Sequence, residues 1–142
     1  MGKKRIIEKA EKVEGEKVEA PKVSSKRKVA VGILHVQSTF NNTKLLVTDT
    51  DGNALLFSSS GALGFRGAKK GTPYAAAKVG ELLADKAVAL GISEIAVVVK
   101  GVGSGRESSI RAFATKGIGI SSIRDVTPVA HNGPRAKKPR RV

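Results

Sequence analysis

The feature that most constrains the fold is a short apolar run enclosed by glycines. Residues 94–100, Glu-Ile-Ala-Val-Val-Val-Lys, lie between Gly91 and Gly101. The run is far shorter than the ~18 apolar residues that a membrane span needs. Its nearly continuous apolar character is typical of a strand buried on both faces, in a sheet with parallel connections. It therefore predicts an α/β domain.

A helix with marked ends precedes this strand. Thr72 suits the N-cap, and Pro73 suits the first helical position, where a backbone N–H would have no helical partner. Gly91 follows the last turn, where a positive φ is needed. Apolar residues recur between these ends in steps of three and four, at positions 76, 79, 83, 87 and 90. A second helix is predicted from Ser104, which fits a capping box with the Glu three residues later, to Gly117.

The remaining apolar segments predict four more strands. They are expected at residues 29–37, 44–50, 53–59 and 118–126. Between the second and third of these, Asp51 and Gly52 tolerate positive φ at both central positions of a hairpin turn. The predicted order along the chain is β-β-β-α-β-α-β. Because helices alternate with the later strands, this order indicates a mixed sheet with parallel crossovers.

Charge divides the 142 residues into three parts. The chain has 26 Lys and Arg against 12 Asp and Glu, a formal net charge of +14, which favours a polyanionic partner, above all nucleic acid. Residues 1–28 are charged and lack aromatic side chains, so they are predicted to form a disordered extension. Residues 29–127 are the α/β domain. Residues 128–142 carry five cations and no acid, and they are predicted to form an extended basic tail that binds RNA.

One candidate interface lies between the first two predicted strands. Residues 38–44 include Asn41, Asn42 and Lys44, whose side chains can reach phosphate, sugar or base edges. The alternative for the asparagines is that they only shape the turn. Phe40 beside them is either a surface on which a base stacks or a part of the core.

Two further loops lead into the N-termini of the predicted helices, where backbone N–H groups and the helix dipole favour an anion. The first loop carries Arg66, Lys69 and Lys70 among glycines, and it either binds phosphate or is simply solvated. The second has glycines at 101, 103 and 105, a spacing that fits neither the P-loop nor the dinucleotide fingerprint. It is either a backbone nest for an RNA phosphate, beside Arg106, or a tight turn before the helix.

Enzymatic interpretations are weaker. The absence of Cys excludes a thiolate metal site and a Cys nucleophile. Neither His35 nor His131 has the surroundings of a catalytic triad. Asp49 and Asp51, with a carboxylate at position 81, 85 or 125, are the best approximation to a two-metal nuclease site. We therefore expect no enzyme, cofactor or metal, and the alternative from another class is a metal-dependent nuclease.

Five motifs together resemble the small-ribosomal-subunit protein eleven family, in its bacterial form. They are FNNT at 40–43, TDTDGNAL at 48–55, GFRGAKKGTPYAA at 64–76, KGVGSGRESSIRA at 100–112 and DVTPVAHNGPRAKKPRRV at 125–142. They occur in the family's order and extend over about residues 29–142. The resemblance implies a ribonuclease-H-like α/β fold without nuclease activity, in a structural constituent of the small ribosomal subunit.

The resemblance also implies a location and partners. It places the protein on the platform of the small subunit, in the cytoplasm, where the family bridges helices of the small-subunit ribosomal RNA. There the family helps to form the cleft for the Shine–Dalgarno duplex of the messenger RNA. Small-subunit proteins seven and eighteen and an initiation factor are the implied protein partners. The alternative within RNA-binding proteins is a free-standing basic protein that acts off the ribosome.

The expected RNA-facing residues come from the motif match and from the analysis of the loops and the tail. By motif match they are Asn41, Asn42, Arg66, Lys69, Lys70, Arg106, Arg111, His131, Asn132, Arg135, Lys137, Lys138, Arg140 and Arg141. The loops and the tail add Lys44, Gly103, Gly105 and Gly133.

Overall fold

The computed structural model describes residues 28–139 of the chain. Its strands are β1 (Val31–Ser38), β2 (Thr43–Asp49), β3 (Ala54–Ser59), β4 (Glu94–Lys100) and β5 (Gly119–Asp125). Its helices are α1 (Pro73–Ala89) and α2 (Gly105–Thr115), and a short 3₁₀ helix at Gly67–Gly71 precedes α1. The mixed α/β fold is confirmed. The predicted N-terminal extension, apart from Lys28, lies outside the described residues, as do residues 140–142 of the tail.

The five strands form one mixed sheet in the order β3-β2-β1-β4-β5. β1 pairs antiparallel with β2, which pairs antiparallel with β3, whereas β1, β4 and β5 are parallel. The crossovers through α1 and α2 progress in the same direction across the sheet. Since such crossovers are right-handed, both helices lie on the same face, and they pack against each other.

The core lies between this face and the helices. Alternate strand residues point into it and are buried, among them Leu34, Val36, Leu45, Val47, Ile95, Val97 and Val99. Phe113 of α2 is fully buried against them. Ala96 and Val98 point to the other face and are only half-buried. The prediction that β4 is buried on both faces was wrong for this reason: among the described residues, the helices cover one face and leave the other open.

Both helices begin and end where the sequence marks them, but the two N-termini differ. The Thr72 hydroxyl accepts a hydrogen bond from the Ala75 N–H at 3.3 Å, as an N-cap should. Ser104 is the N-cap of α2, yet its hydroxyl donates to the carbonyl oxygen of Gly71 at 2.9 Å. The predicted capping box was therefore wrong. The partner of the Ser104 hydroxyl is a carbonyl group of a neighbouring loop, not an N–H group of the helix.

The β2–β3 connection is longer than the predicted two-residue turn. Of the central pair, Gly52 has a positive φ, +89°, and Asp51 does not. Among the described residues, Asn132 is the sole non-glycine residue with a positive φ. Asp49 closes the loop: its N–H donates to the Asn53 carbonyl at 2.9 Å, and its side chain accepts from the Thr50 N–H at 2.7 Å. Within residues 28–139, no helix is long and apolar enough to cross a membrane.

Candidate nucleic-acid interface

The topology gathers four loop segments at one edge of the sheet. β1, β3, β4 and β5 run in the same direction, so their carboxyl ends lie together. The segments that follow these strands are residues 39–42, residues 60–72, the glycine loop (residues 101–104) and the tail from residue 126. We call this region the carboxyl edge. Ligands of α/β sheets typically bind outside the carboxyl ends of the strands.

The glycines hold these segments in close contact. A Cβ on Gly101 would overlap the carbonyl oxygen of Ser38, and one on Gly71 would overlap that of Phe40. A Cβ on Gly103 would meet the hydroxyl of Ser38, and one on Gly105 the hydroxyl of Thr43. Residues 38–43 are therefore packed tightly between the glycine loop and the end of the 3₁₀ helix. Only residues without a side chain permit so close an approach.

Two N–H groups of the glycine loop bond within the protein. Gly103 donates to the Ser38 carbonyl at 3.1 Å, and Gly101 donates to the Thr127 hydroxyl at 3.1 Å. Gly103 and Gly105 are also buried. This geometry favours a tight turn over a backbone nest that is open to phosphate. Gly103 and Gly105 therefore hold the neighbouring loops in position.

Arg106 joins the glycine loop to the tail. Its guanidinium donates to the Gly101 carbonyl at 2.8 Å and pairs with the Asp125 carboxylate. The N–H and hydroxyl of Thr127 donate to the same carboxylate at 2.9 and 2.6 Å. These hydrogen bonds, followed by the one from Arg106, lower the pKa of Asp125 to about 2. The Arg106 side chain thus has internal partners, and it fixes the direction in which the tail leaves β5.

The loop cations are arranged differently. Arg66 and Lys69 are exposed, Lys70 is half-buried, and all three precede the N-terminus of α1. Lys44 is exposed on β2. These four side chains lie around the carboxyl edge and are available to a polyanion.

The asparagines occupy a turn built on Thr39. The Thr39 hydroxyl accepts from the N–H groups of Asn41 and Asn42 at 3.4 and 3.1 Å. Asn41 is exposed, whereas Asn42 is half-buried. The Asn42 side-chain oxygen is buried without a hydrogen-bond partner among the described residues. An unpaired buried acceptor of this kind costs about 1–3 kcal/mol.

The tail forms neither helix nor strand as far as the structure describes it. The Val126 N–H donates to the Val99 carbonyl at 2.9 Å, and from Pro128 onward every described residue is exposed. This part includes the predicted RNA-facing residues His131, Asn132, Gly133, Arg135, Lys137 and Lys138. Arg140 and Arg141 lie outside the described residues.

Arg111 is the predicted residue that the fold places apart. It lies six residues into α2, about 9 Å along the helix axis. There it forms an ion pair with Glu107 and lines a groove between the two helices, together with Glu81 and Lys116. This groove mixes both signs of charge.

Phe40 settles one of the alternatives left by the sequence. It is 77% exposed, so it is not a core residue. Tyr74 at the start of α1 is also exposed and packs edge-on against Phe65 with ring centroids 6.1 Å apart. Tyr74 was not among the predicted site residues, although helix periodicity places it on the opposite side of α1 from the buried Ala76 and therefore outward.

Four of the five carboxylates considered for a nuclease, all but Asp51, have other partners. Glu81 pairs with Lys78 at 2.9 Å and Asp85 with Lys116 at 2.8 Å, while Asp49 caps its own turn. Within residues 28–139, no group of three His, Cys, Asp or Glu side chains is placed to hold a metal ion.

A basic α/β protein that presents loop and tail cations at one sheet edge is of the nucleic-acid-binding type. The comparison with known families makes this specific, because the family model of Ribosomal protein S11 matches residues 32–141. The chain belongs to the Ribosomal protein S11 family, which confirms the resemblance. It is accordingly a small-subunit ribosomal protein that binds ribosomal RNA and acts in translation.

Proposed function

We propose that the chain is a structural, non-catalytic protein on the platform of the small subunit, in the cytoplasm. There it bridges helices of the small-subunit ribosomal RNA and helps to form the cleft of the Shine–Dalgarno duplex. Small-subunit proteins seven and eighteen, the messenger RNA and an initiation factor are its proposed neighbours. The observation that carries the proposal is the convergence of residues 39–42, residues 60–72 and the basic tail at the carboxyl edge, in a member of this family.

The proposed mechanism divides the expected residues by what their surroundings allow. The exposed cations neutralise phosphates and release counterions, while the polar residues contact sugar, phosphate or base edges. Gly103, Gly105 and Arg106 position these contacts by holding the loops and the start of the tail together. The direct contacts are assigned to Asn41, Asn42, Lys44, Arg66, Lys69, Lys70, His131, Asn132, Gly133, Arg135, Lys137, Lys138, Arg140 and Arg141.

Sedimentation tests the proposal. A cell extract is run in sucrose gradients at low and at high salt, and fractions are probed for this chain. The expected result is that it stays with the small subunit after the high-salt wash, as a structural constituent would. Sedimentation as a free 15 kDa species would contradict the proposal and favour a protein that acts off the ribosome.

A further inference from the structure

A small, partly apolar hollow lies at the carboxyl edge. It has a volume of about 260 Å³ and lies between the ends of β1 and β4 and the start of the tail. Phe40, Val102 and Pro128 give it apolar walls. Phe40 is 77% and Val102 60% exposed, so both apolar side chains face water in this protein by itself. Exposed apolar groups gathered in a concave site are characteristic of a binding surface.

The polar groups of the hollow follow from the strand register. Gln37 lies opposite Lys44 of β2 on one side and opposite Lys100 of β4 on the other. All three are exposed on the open face of the sheet, in a row of cation, amide and cation. Since neighbouring strands are about 4.8 Å apart, the two lysine backbones are about 10 Å apart. Gln37 and Lys100 also line the hollow, and its lining, within the described residues, includes no acid.

We infer that this hollow receives one unpaired nucleotide of an RNA strand. The base lies against the ring of Phe40, the Gln37 amide bonds to the base edge, and Lys44 and Lys100 contact the flanking phosphates. An aromatic ring stacks on any base, and an amide offers both a donor and an acceptor. This inference rests on the proposed function, and it adds to charge neutralisation a site that distinguishes unpaired from paired RNA.

A side chain of a protein partner is the competing occupant. A leucine or phenylalanine would fill the apolar part of the hollow. It would, however, leave the row of Lys44, Gln37 and Lys100 without an anion or acceptor, which an RNA strand supplies. The charge of the row therefore favours RNA.

The first experiment measures binding of the full chain to two RNA hairpins that differ only in one bulged nucleotide. The bulge carries 2-aminopurine, whose fluorescence reports stacking. We expect the bulged hairpin to bind more tightly than the paired one, with a change of fluorescence. Phe40→Ala should weaken binding of the bulged hairpin roughly 5- to 150-fold, the range for one aromatic–base stack, and leave the paired hairpin unchanged.

Phe57→Ala is the matched control. Phe57 is also exposed, at 62%, but it lies on β3 and does not line the hollow. Equal losses in the two variants, or a Phe40→Ala loss that is the same for both hairpins, would overturn the inference. Because Phe40 is exposed, the variant should keep the wild-type melting temperature, which is measured alongside. Binding of both hairpins equally would refute only the hollow, whereas no salt-dependent RNA binding would refute the proposed function.

The second experiment identifies the occupant in assembled subunits. Val102 is replaced with the photoreactive residue p-benzoylphenylalanine, and purified small subunits are irradiated. A cross-link to a ribosomal RNA nucleotide is the expected result. A cross-link to protein, or none, would overturn the inference.

Discussion

Ser38 shows how much of the carboxyl edge depends on single residues. Its carbonyl oxygen accepts from the Gly103 N–H and lies against the Cα of Gly101. Its hydroxyl is buried and lies 3.4 Å from that of Thr43. A serine at the end of a strand thus fixes the path of the next loop, and any side chain at Gly101 would displace it.

We predict that Gly101→Ala destabilises the protein by more than about 3 kcal/mol, because strain at φ +106° adds to the overlap with Ser38. Gly52→Ala is the control, since Gly52 has φ +89° but open space around it. Its loss should be about 1–2 kcal/mol, from the positive φ alone. Urea unfolding measures both. Equal losses would show that the glycine loop is not packed tightly against Ser38.

The Asp125 carboxyl gives a prediction that depends on pH. Its pKa of about 2 lies below its ordinary value of 3.8, because Thr127 and Arg106 bond to the ionised form. The stabilisation from these bonds is therefore complete above about pH 4 and is lost as the pH falls toward 2. Carbon-13 NMR of the carboxyl should give a midpoint near 2. A midpoint at the ordinary value would mean that the junction of β5 and the tail is not held as described.

At the scale of elements, the sequence predicted what local chemistry controls. Thr72, Pro73 and Gly91 mark a helix because each suits a local backbone geometry, and the structure has a helix between them. The spatial order of the strands was not predictable in this way, because it depends on which strands pair at long range. Ser104 illustrates the limit: its capping pattern is local, but Gly71, 33 residues away, takes its hydroxyl.

In the candidate interface, too, the sequence predicted what is local but not what depends on long-range contacts. The cations of residues 64–71 and of the tail could be recognised as exposed because their segments lack apolar periodicity. The partners of Arg106 could not, since Gly101 and Asp125 approach it only when β4 and β5 are paired. The exposure of Phe40 was equally hidden, because a lone aromatic in a polar loop is compatible with both core and surface.

The tail is the element with the clearest quantitative prediction. Deletion of residues 128–142 removes five cations and no acid. If all five neutralise phosphates, the slope of log affinity against log salt should shrink by roughly 4.5 for duplex RNA, or about 3.5 for single strands. Filter binding over a range of salt concentrations measures this. An unchanged slope would mean that the tail does not contact RNA.

The whole molecule divides into surfaces of different charge character. On the helical face, three of the cations are matched by acids, in the pairs Lys78–Glu81, Lys116–Asp85 and Arg111–Glu107. At the carboxyl edge, no ion pair among the described residues involves Arg66, Lys69, Lys70 or the tail cations. Net charge alone would not reveal this division. It is the fold that directs the excess positive charge to one side.

The central claim, that the carboxyl edge is the RNA-binding surface, is tested most directly by comparing two double variants. Arg66→Ala with Lys69→Ala removes two exposed cations at the edge, and Lys78→Ala with Lys86→Ala removes two from the outer surface of α1. The measurement is the salt dependence of binding to small-subunit ribosomal RNA. The edge variant should lose about 1.8 from the slope for duplex contacts, or about 1.4 for single-stranded ones, while the α1 variant keeps it. An equal loss in both variants, or a larger loss from α1, would contradict the account.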